Sequence, residues 1–164
     1  MSNQLIPIVN QEDEIIWHKA RSEITKDDIY RVSALWIENS QWEVLLAQRG
    51  FMKKNNPGKW WPAVAWTIDI WETYEENIYK EAFEELWIQD KKFVFSQKLF
   101  NNGPKFFYFC SWYFLILDAD ISEFILEYPH VESVRWFSKE EIRNMLQNSP
   151  ESLSAVEYMK WKFQ

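Results

Sequence analysis

Apolar and polar positions change rhythm several times along the chain, and the changes predict its elements. Leu5–Val9 and Ile15–Lys19 are short apolar-rich runs around a polar turn and predict two strands. YRVSALWIE (Tyr30–Glu38) and WEVLLAQ (Trp42–Gln48) flank Asn39-Ser40-Gln41 and predict a hairpin. The basic stretch Arg49–Lys59, RGFMKKNNPGK, carries Pro57-Gly58 and predicts a loop; Trp60–Ile70 predicts an extended segment. The period then becomes helical. Tyr74, Ile78, Ala82 and Leu86 recur every four residues, giving a helix over Tyr74–Leu86 with an apolar stripe. Thr73 is its predicted cap, and Glu76 completes a capping box. Lys92–Leu99 and Lys105–Leu117 predict strands joined by Asn101-Asn102-Gly103-Pro104, and Val131–Phe137 a further strand. Ser138 with Glu141 opens a helix; Ser149-Pro150 opens a last one running to about Lys162. This order predicts an α/β chain with a mixed sheet covered by helices on both sides.

Bulk properties narrow the function. The 164 residues are expected to form one domain spanning 1–164. A net charge of −7 speaks against general nucleic-acid binding but leaves room for a small anionic ligand. The single cysteine, Cys110, lies in the apolar run FFYFCSWYFLIL and reads as a buried small hydrophobe. The opening MSNQLIPIVNQEDE lacks a signal-peptide pattern, and Phe106–Leu117 is shorter than the roughly 20 residues of a membrane helix. A cytoplasmic location without a membrane partner is therefore expected. The aromatic content of 18% would allow a subunit interface.

The chemistry concentrates in Trp66–Ile88, WTIDIWETYEENIYKEAFEELWI. Glu81, Glu84 and Glu85 share one helix surface, with Glu72 upstream and Lys80 between. Carboxylates three and four apart repel one another. A glutamate-rich helix is usually a solvated face. Here, however, Glu81 and Glu85 lie beside the apolar stripe, where partial desolvation makes a cation more valuable. Arg49 and Lys59 flank the ends of the basic loop and are the candidate phosphate-binding residues; Lys53 and Lys54 read equally well as solvated. His18 and His130 are far apart in sequence, so a two-histidine metal site is not expected.

The segment resembles the signature of the Nudix hydrolases, G-x5-E-x7-R-E-U-x-E-E-x-G-U, where U is a bulky aliphatic residue. In this chain it reads Trp66, five residues, Glu72, seven residues, Lys80-Glu81-Ala82-Phe83-Glu84-Glu85-Leu86-Trp87-Ile88. All four glutamates are in register; lysine replaces arginine, alanine the aliphatic, and tryptophan both glycines. EVLLAQRG, NPGKWW and VRWFSKEEI also resemble the flanks of the branch containing isopentenyl-diphosphate isomerases and their hydrolase relatives. The resemblance implies a Nudix-type α/β/α sandwich with a mixed sheet. It further implies Mg2+ or Mn2+ on Glu81 and Glu85, with Glu84 assisting or acting as base, and water attack on a small-molecule diphosphate. Glu84 and Glu85 are thus the expected catalytic pair. Glu72 and Lys80 would brace the loop as an ion pair, and Glu132, near His130, would be a helper carboxylate. Isomerisation of an isoprenyl diphosphate, or a binding module that has lost catalysis, are the rival functions. No cysteine stands where the isomerase's catalytic one would.

Tryptophan is over-used where glycine is expected. The chain has 3 Gly and 11 Trp, against roughly 11 Gly at typical usage. Trp66 stands where the family's backbone carbonyl approaches the metal, Trp71 precedes Glu72, and Trp87 ends the helix. Trp17 and Trp42 also occupy glycine-like positions, Trp61 and Trp112 less clearly, whereas Trp36, Trp60 and Trp136 read as core residues. We therefore entertain the hypothesis that the codon UGA, read here as tryptophan, specifies glycine in the source. UGG codons at positions 66, 71 and 87 would refute it.

Overall fold

The computed structural model describes residues 4–163. In chain order its strands are β1 (Leu5–Val9), β2 (Ile15–Ala20), β3 (Ile29–Glu38), β4 (Val44–Arg49), β5 (Trp60–Pro62), β6 (Val64–Thr67), β7 (Val94–Asn102), β8 (Phe107–Ile116) and β9 (Val131–Phe137). The helices are α1 (Tyr74–Leu86), α2 (Lys139–Asn148) and α3 (Val156–Lys162). All nine strands join in one mixed sheet.

Strand β3 is the axis. Its second half is buried on both faces, which is why it reads as a near-continuous apolar run. Along one edge it pairs in parallel with β8, from Ile29↔Phe107 to Glu38↔Ile116. The other edge is shared. β1 takes its start, β6 its middle through Val32↔Thr67 to Leu35↔Val64, and β4 its end. The predicted β3–β4 hairpin is thus paired only at Ile37↔Leu45 and Glu38↔Val44. Beyond that point β4 leaves β3 and pairs with β5 on one side and β9 on the other. The predicted extended segment Trp60–Ile70 divides at the fully buried Ala63, so that β5 serves β4 and β6 serves β3. The sheet therefore splays between β4 and β6, beside the loop that leads from β6 into α1.

One face of the sheet packs on α1 through Leu35, Ile37, Tyr113 and Leu115 against Ile78, Ala82 and Leu86. The opposite face packs Trp36, Trp112 and Phe137 on Ile142 of α2 and on Tyr158 and Met159 of α3. Truncating Leu35, Ile37, Ile78 or Ile142, all fully buried, to alanine should cost about 2–5 kcal/mol. Several boundaries shift by one to three residues from the sequence pattern, and β7 takes in Asn101 and Asn102 of the predicted turn; two departures have a visible cause in the packing. Strand β7 starts late because Phe93 is drawn onto α1, where its N–H donates to the Tyr79 hydroxyl at 2.9 Å and its ring stacks on Tyr79. The last helix is broken: a 3-10 turn over Pro150–Ser152 is followed by buried Leu153, which bridges to Trp60, and Ala155 at φ 54 before α3 begins. Proline opened a turn, and burial of Leu153 against the sheet ended it.

Candidate functional site

Helix α1 is fixed at both ends. The Thr73 hydroxyl accepts the Glu76 N–H at 3.1 Å, and the Glu76 carboxylate accepts the Thr73 N–H at 2.8 Å. At the other end Trp87 adopts the left-handed region, φ 57 and ψ 32. Its N–H reaches the Phe83 carbonyl at 2.9 Å, and the Ile88 N–H reaches Ala82 at 3.0 Å. Glycine usually closes such a motif; here the indole is accommodated against Phe83, ring centroids 4.4 Å apart.

Glu81 and Glu85 are buried beside the apolar stripe, 4% and 2% exposed. Helix physics recommends neither. Like charges four apart repel, and both lie in the C-terminal half, where the dipole is negative and the last turn holds no basic residue. Burial is the largest cause lifting the Glu81 carboxyl, to about 7; Glu84 and Glu72 add to it and Lys80 opposes it. Burial also lifts Glu85 well above the ordinary carboxylate range, with Glu81 and Glu127 adding and Arg49 and Lys53 opposing. Glu84, by contrast, is exposed and lines with Glu81 an open cavity of about 470 Å3. The predicted acidic ridge is therefore split, two carboxyls inward and one outward.

Lys80 and Glu72 are paired as expected. The Lys80 ammonium bonds Glu72 and also lies 3.1 Å from Glu81. Glu72 further accepts from Asn77 Nδ2 at 2.7 Å and from the Asp69 N–H at 3.2 Å, which pins the loop before α1. Trp71 in that loop is 86% exposed. Arg49 is buried; its Nε donates to the Asn55 carbonyl at 2.6 Å, and its guanidinium lies over Trp61. Arg49 lines, with Arg21 and Trp66, a second cavity of about 210 Å3; Lys59 lines neither cavity, whereas Lys53 reaches over the Trp66 ring.

Two residues that the sequence left aside join the site. Glu127 lines the carboxylate cavity together with His130, to which it is paired at 3.3 Å. Glu132, the carboxylate chosen from sequence, is exposed on β9 and lines neither cavity. Arg21, from the 3-10 turn after β2, stacks its guanidinium 4.7 Å from the centre of Trp66. A carboxylate beside the Tyr128-Pro129-His130 turn was the available signal for Glu127; nothing local marked Arg21. His18 is exposed on β2, and Cys110 is buried, its thiol pushed well above the ordinary range by burial.

Among the described residues, no group of three His, Cys, Asp or Glu side chains is placed to hold a metal ion by itself. Mg2+ asks for less, since it is commonly bound through one or two carboxylates plus waters and substrate phosphates. The buried, oxygen-only pair Glu81–Glu85 fits that donor chemistry. Among the described residues no helix is long and apolar enough to cross a membrane.

Residues 29–159 match the NUDIX domain family. No curated protein matches the chain significantly. Among solved structures, the DR0079 protein of Deinococcus radiodurans superposes with a TM-score of 0.83 at 20% identity, covering 98% of this chain and 100% of its own. The MutT protein of Methanosarcina mazei Go1 gives 0.63 at 22%, covering 82% and 94%. The NUDIX domain of Shewanella oneidensis NrtR, determined in complex with ADP-ribose, gives 0.62 at 15%, covering 81% and 85%. At these identities the likeness speaks to the fold, an α/β Nudix architecture.

Proposed function

Because this chain belongs to the Nudix family, we propose that it is a metal-dependent hydrolase of a diphosphate linkage in a nucleoside diphosphate derivative or a similar small molecule. The observation that carries this reading is the burial of Glu81 and Glu85 side by side on α1, with Lys80 opposing the raised proton affinity of Glu81 and Arg49 and Lys53 that of Glu85. Glu81 and Glu85 would hold Mg2+ or Mn2+. When bound, the ion supplies neutralisation of phosphate charge and a more acidic water. Glu84, exposed on the cavity that Glu81 also lines, would take a proton from water. Arg49, Lys53 and, from the loop end, Lys59 would draw in the phosphates. Glu72 and Lys80 hold the loop rather than the substrate. Glu127, whose charge raises the Glu85 proton affinity, would add a supporting carboxylate to the site.

Hydrolysis is preferred to isopentenyl-diphosphate isomerisation. Although the sequence flanks resemble the isomerase-like branch, the only cysteine is buried with its thiol raised, a poor exchangeable acid. A catalytically impaired binding module is the other alternative, and the tryptophans decide how seriously to take it. Trp42 and Trp87 stand at φ 65 and 57, and Trp17, Trp42 and Trp71 are 68%, 67% and 86% exposed. Trp36, in contrast, is 1% exposed and donates to Glu38 at 3.0 Å, and Trp112 stacks on Tyr158 in the core. This division supports the hypothesis that the first group stands for glycine. The intact mass of the protein from its source would test it directly. A screen of nucleoside and isoprenoid diphosphates with Mg2+ tests the activity; no turnover in either the written chain or a version with glycine at 66, 71 and 87 would contradict the hydrolase reading.

A further inference from the structure

We propose that the outer edge of β7 is a docking strand for a second copy of this chain, giving a two-fold dimer whose sheets join edge to edge. Among the described residues β7 pairs only with β8, so the N–H and C=O groups along its other side meet no strand. Such an edge invites another strand unless it is short, charged or covered. The other edges are managed in these ways. β5 is bridged by Leu153, and β9 exposes Glu132 and Arg135. β2 is six residues long, carries Lys19 and follows the exposed Glu12 and Glu14. β7 has nine residues, Val94–Asn102, and no acidic one. Its one charged residue, Lys98, is drawn off the edge: the ammonium lies 2.5 Å from Asp13 and over the Tyr74 and Phe109 rings. The charge that would guard the strand is thus neutralised on the sheet face. On a chain of net charge −7, this uncharged edge is where two copies approach with least repulsion.

The side chains along this edge are apolar on both faces. The register Phe95↔Tyr113, Lys98↔Ser111 and Phe100↔Phe109 places Phe95, Lys98 and Phe100 on the α1 face. Val94↔Phe114 and Leu99↔Cys110 place Val94 and Leu99 on the other. Phe100 lies 5.0 Å from Phe109 and 6.3 Å from Phe107 between ring centres, and Phe95 stands edge-on to Tyr113 at 5.9 Å. Val94, Phe95, Leu99 and Phe100 nonetheless remain 58%, 57%, 36% and 45% exposed. Residues opposite each other in an antiparallel pair share a face, so a two-fold contact continues this aromatic row into its own copy. At these exposures each phenylalanine offers about 100 Å2 of surface. With the strand rim, two copies would bury roughly 1,000 Å2, the low end of specific interfaces. The contact therefore makes a reversible dimer, and an isologous pairing of this kind closes at two chains. A second copy is the fitting occupant because β7 presents no unpaired charge that would select a partner of opposite sign.

The test is sedimentation equilibrium of the chain at about 1 μM and about 500 μM, with amide hydrogen exchange followed at both concentrations. The mass should rise from one chain toward two and no further, and exchange should slow along β7 but not along β2. Phe95→Lys/Phe100→Lys should weaken the association about tenfold or more, and Leu99→Lys, on the opposite face, should act in the same direction. Phe95→Leu/Phe100→Leu keeps apolar area without adding charge and should hold the affinity within about threefold. Ile16→Lys on β2 should leave the dimer intact. An unchanged circular dichroism spectrum checks the fold of each variant, and Leu99→Lys carries the test if the double lysine variant unfolds. A single chain at both concentrations, a dimer that the folded lysine variants of β7 leave intact, growth beyond two chains, or slowed exchange on β2 rather than β7 would overturn the proposal.

Discussion

The Glu127 N–H donates to the Glu85 carbonyl at 3.1 Å, tying the loop before β9 to the last turn of α1. This bond places the Glu127 carboxylate where it raises the Glu85 proton affinity, although the two residues are far apart in sequence. Glu127→Gln should keep the backbone bond and the fold, and weaken Mn2+ binding by about tenfold, as removal of a supporting carboxylate does elsewhere. Unchanged Mn2+ affinity by calorimetry would exclude Glu127 from the site.

The buried pair makes stability depend on pH in a defined direction. Both carboxyls are raised by burial above their ordinary 4.5, Glu81 to about 7 and Glu85 well above the usual carboxylate range. The folded state therefore binds protons more tightly than the unfolded one. The stability contributed by the protonated pair is fully present below about pH 4.5 and is lost as pH rises through 7 and beyond. In EDTA, Glu85→Gln should accordingly raise Tm at pH 8 and change it little at pH 4.5. A variant less stable than the parent at pH 8 would show that the ionised carboxylate is not strained.

Lys80 bridges the loop carboxylate Glu72 and the helix carboxylate Glu81. Because Lys80 is 39% exposed, screening limits the loss in Lys80→Met to roughly 1 kcal/mol. Urea denaturation should report that loss, and Lys80→Arg should recover it. Loss of activity in Lys80→Arg with unchanged stability would give Lys80 a direct role in chemistry.

The tryptophans should separate into two classes by substitution. Trp42→Gly and Trp87→Gly relieve left-handed backbone that costs a non-glycine residue about 1–2 kcal/mol, and both should raise Tm. Trp36→Gly empties a fully buried core position and should cost about 3–5 kcal/mol or more. Equal destabilisation by all three would remove the structural case for glycine at 42 and 87.

Local chemistry was legible in the sequence where it is self-contained. The α1 boundaries, the Thr73–Glu76 and Ser138–Glu141 boxes, β1 and β9 follow from neighbours within a few residues, the layered α/β arrangement follows from the order of elements, and the Glu72–Lys80 pair was implied by the resemblance to the Nudix signature. What stayed hidden depends on distant partners. The splay of β4 from β3 requires knowing that β6 and β8 compete for β3, and the break before α3 requires knowing that Leu153 is needed by the sheet. Glu127 and Arg21 reach the site through loops whose course no periodicity reveals. Glu84 shares the helix and motif of Glu81 and Glu85, yet it stands further round the helix from the apolar stripe and is exposed where they are buried.

The most direct measurement is a calorimetric titration of Mn2+ into the folded chain and into Glu81→Gln/Glu85→Gln, each checked for an unchanged circular dichroism spectrum. One Mn2+ bound per parent chain, and none by the double variant, is the expected result. A parent that takes up no Mn2+, or a double variant that binds it equally well, would contradict a cation seat on the buried carboxylates of α1.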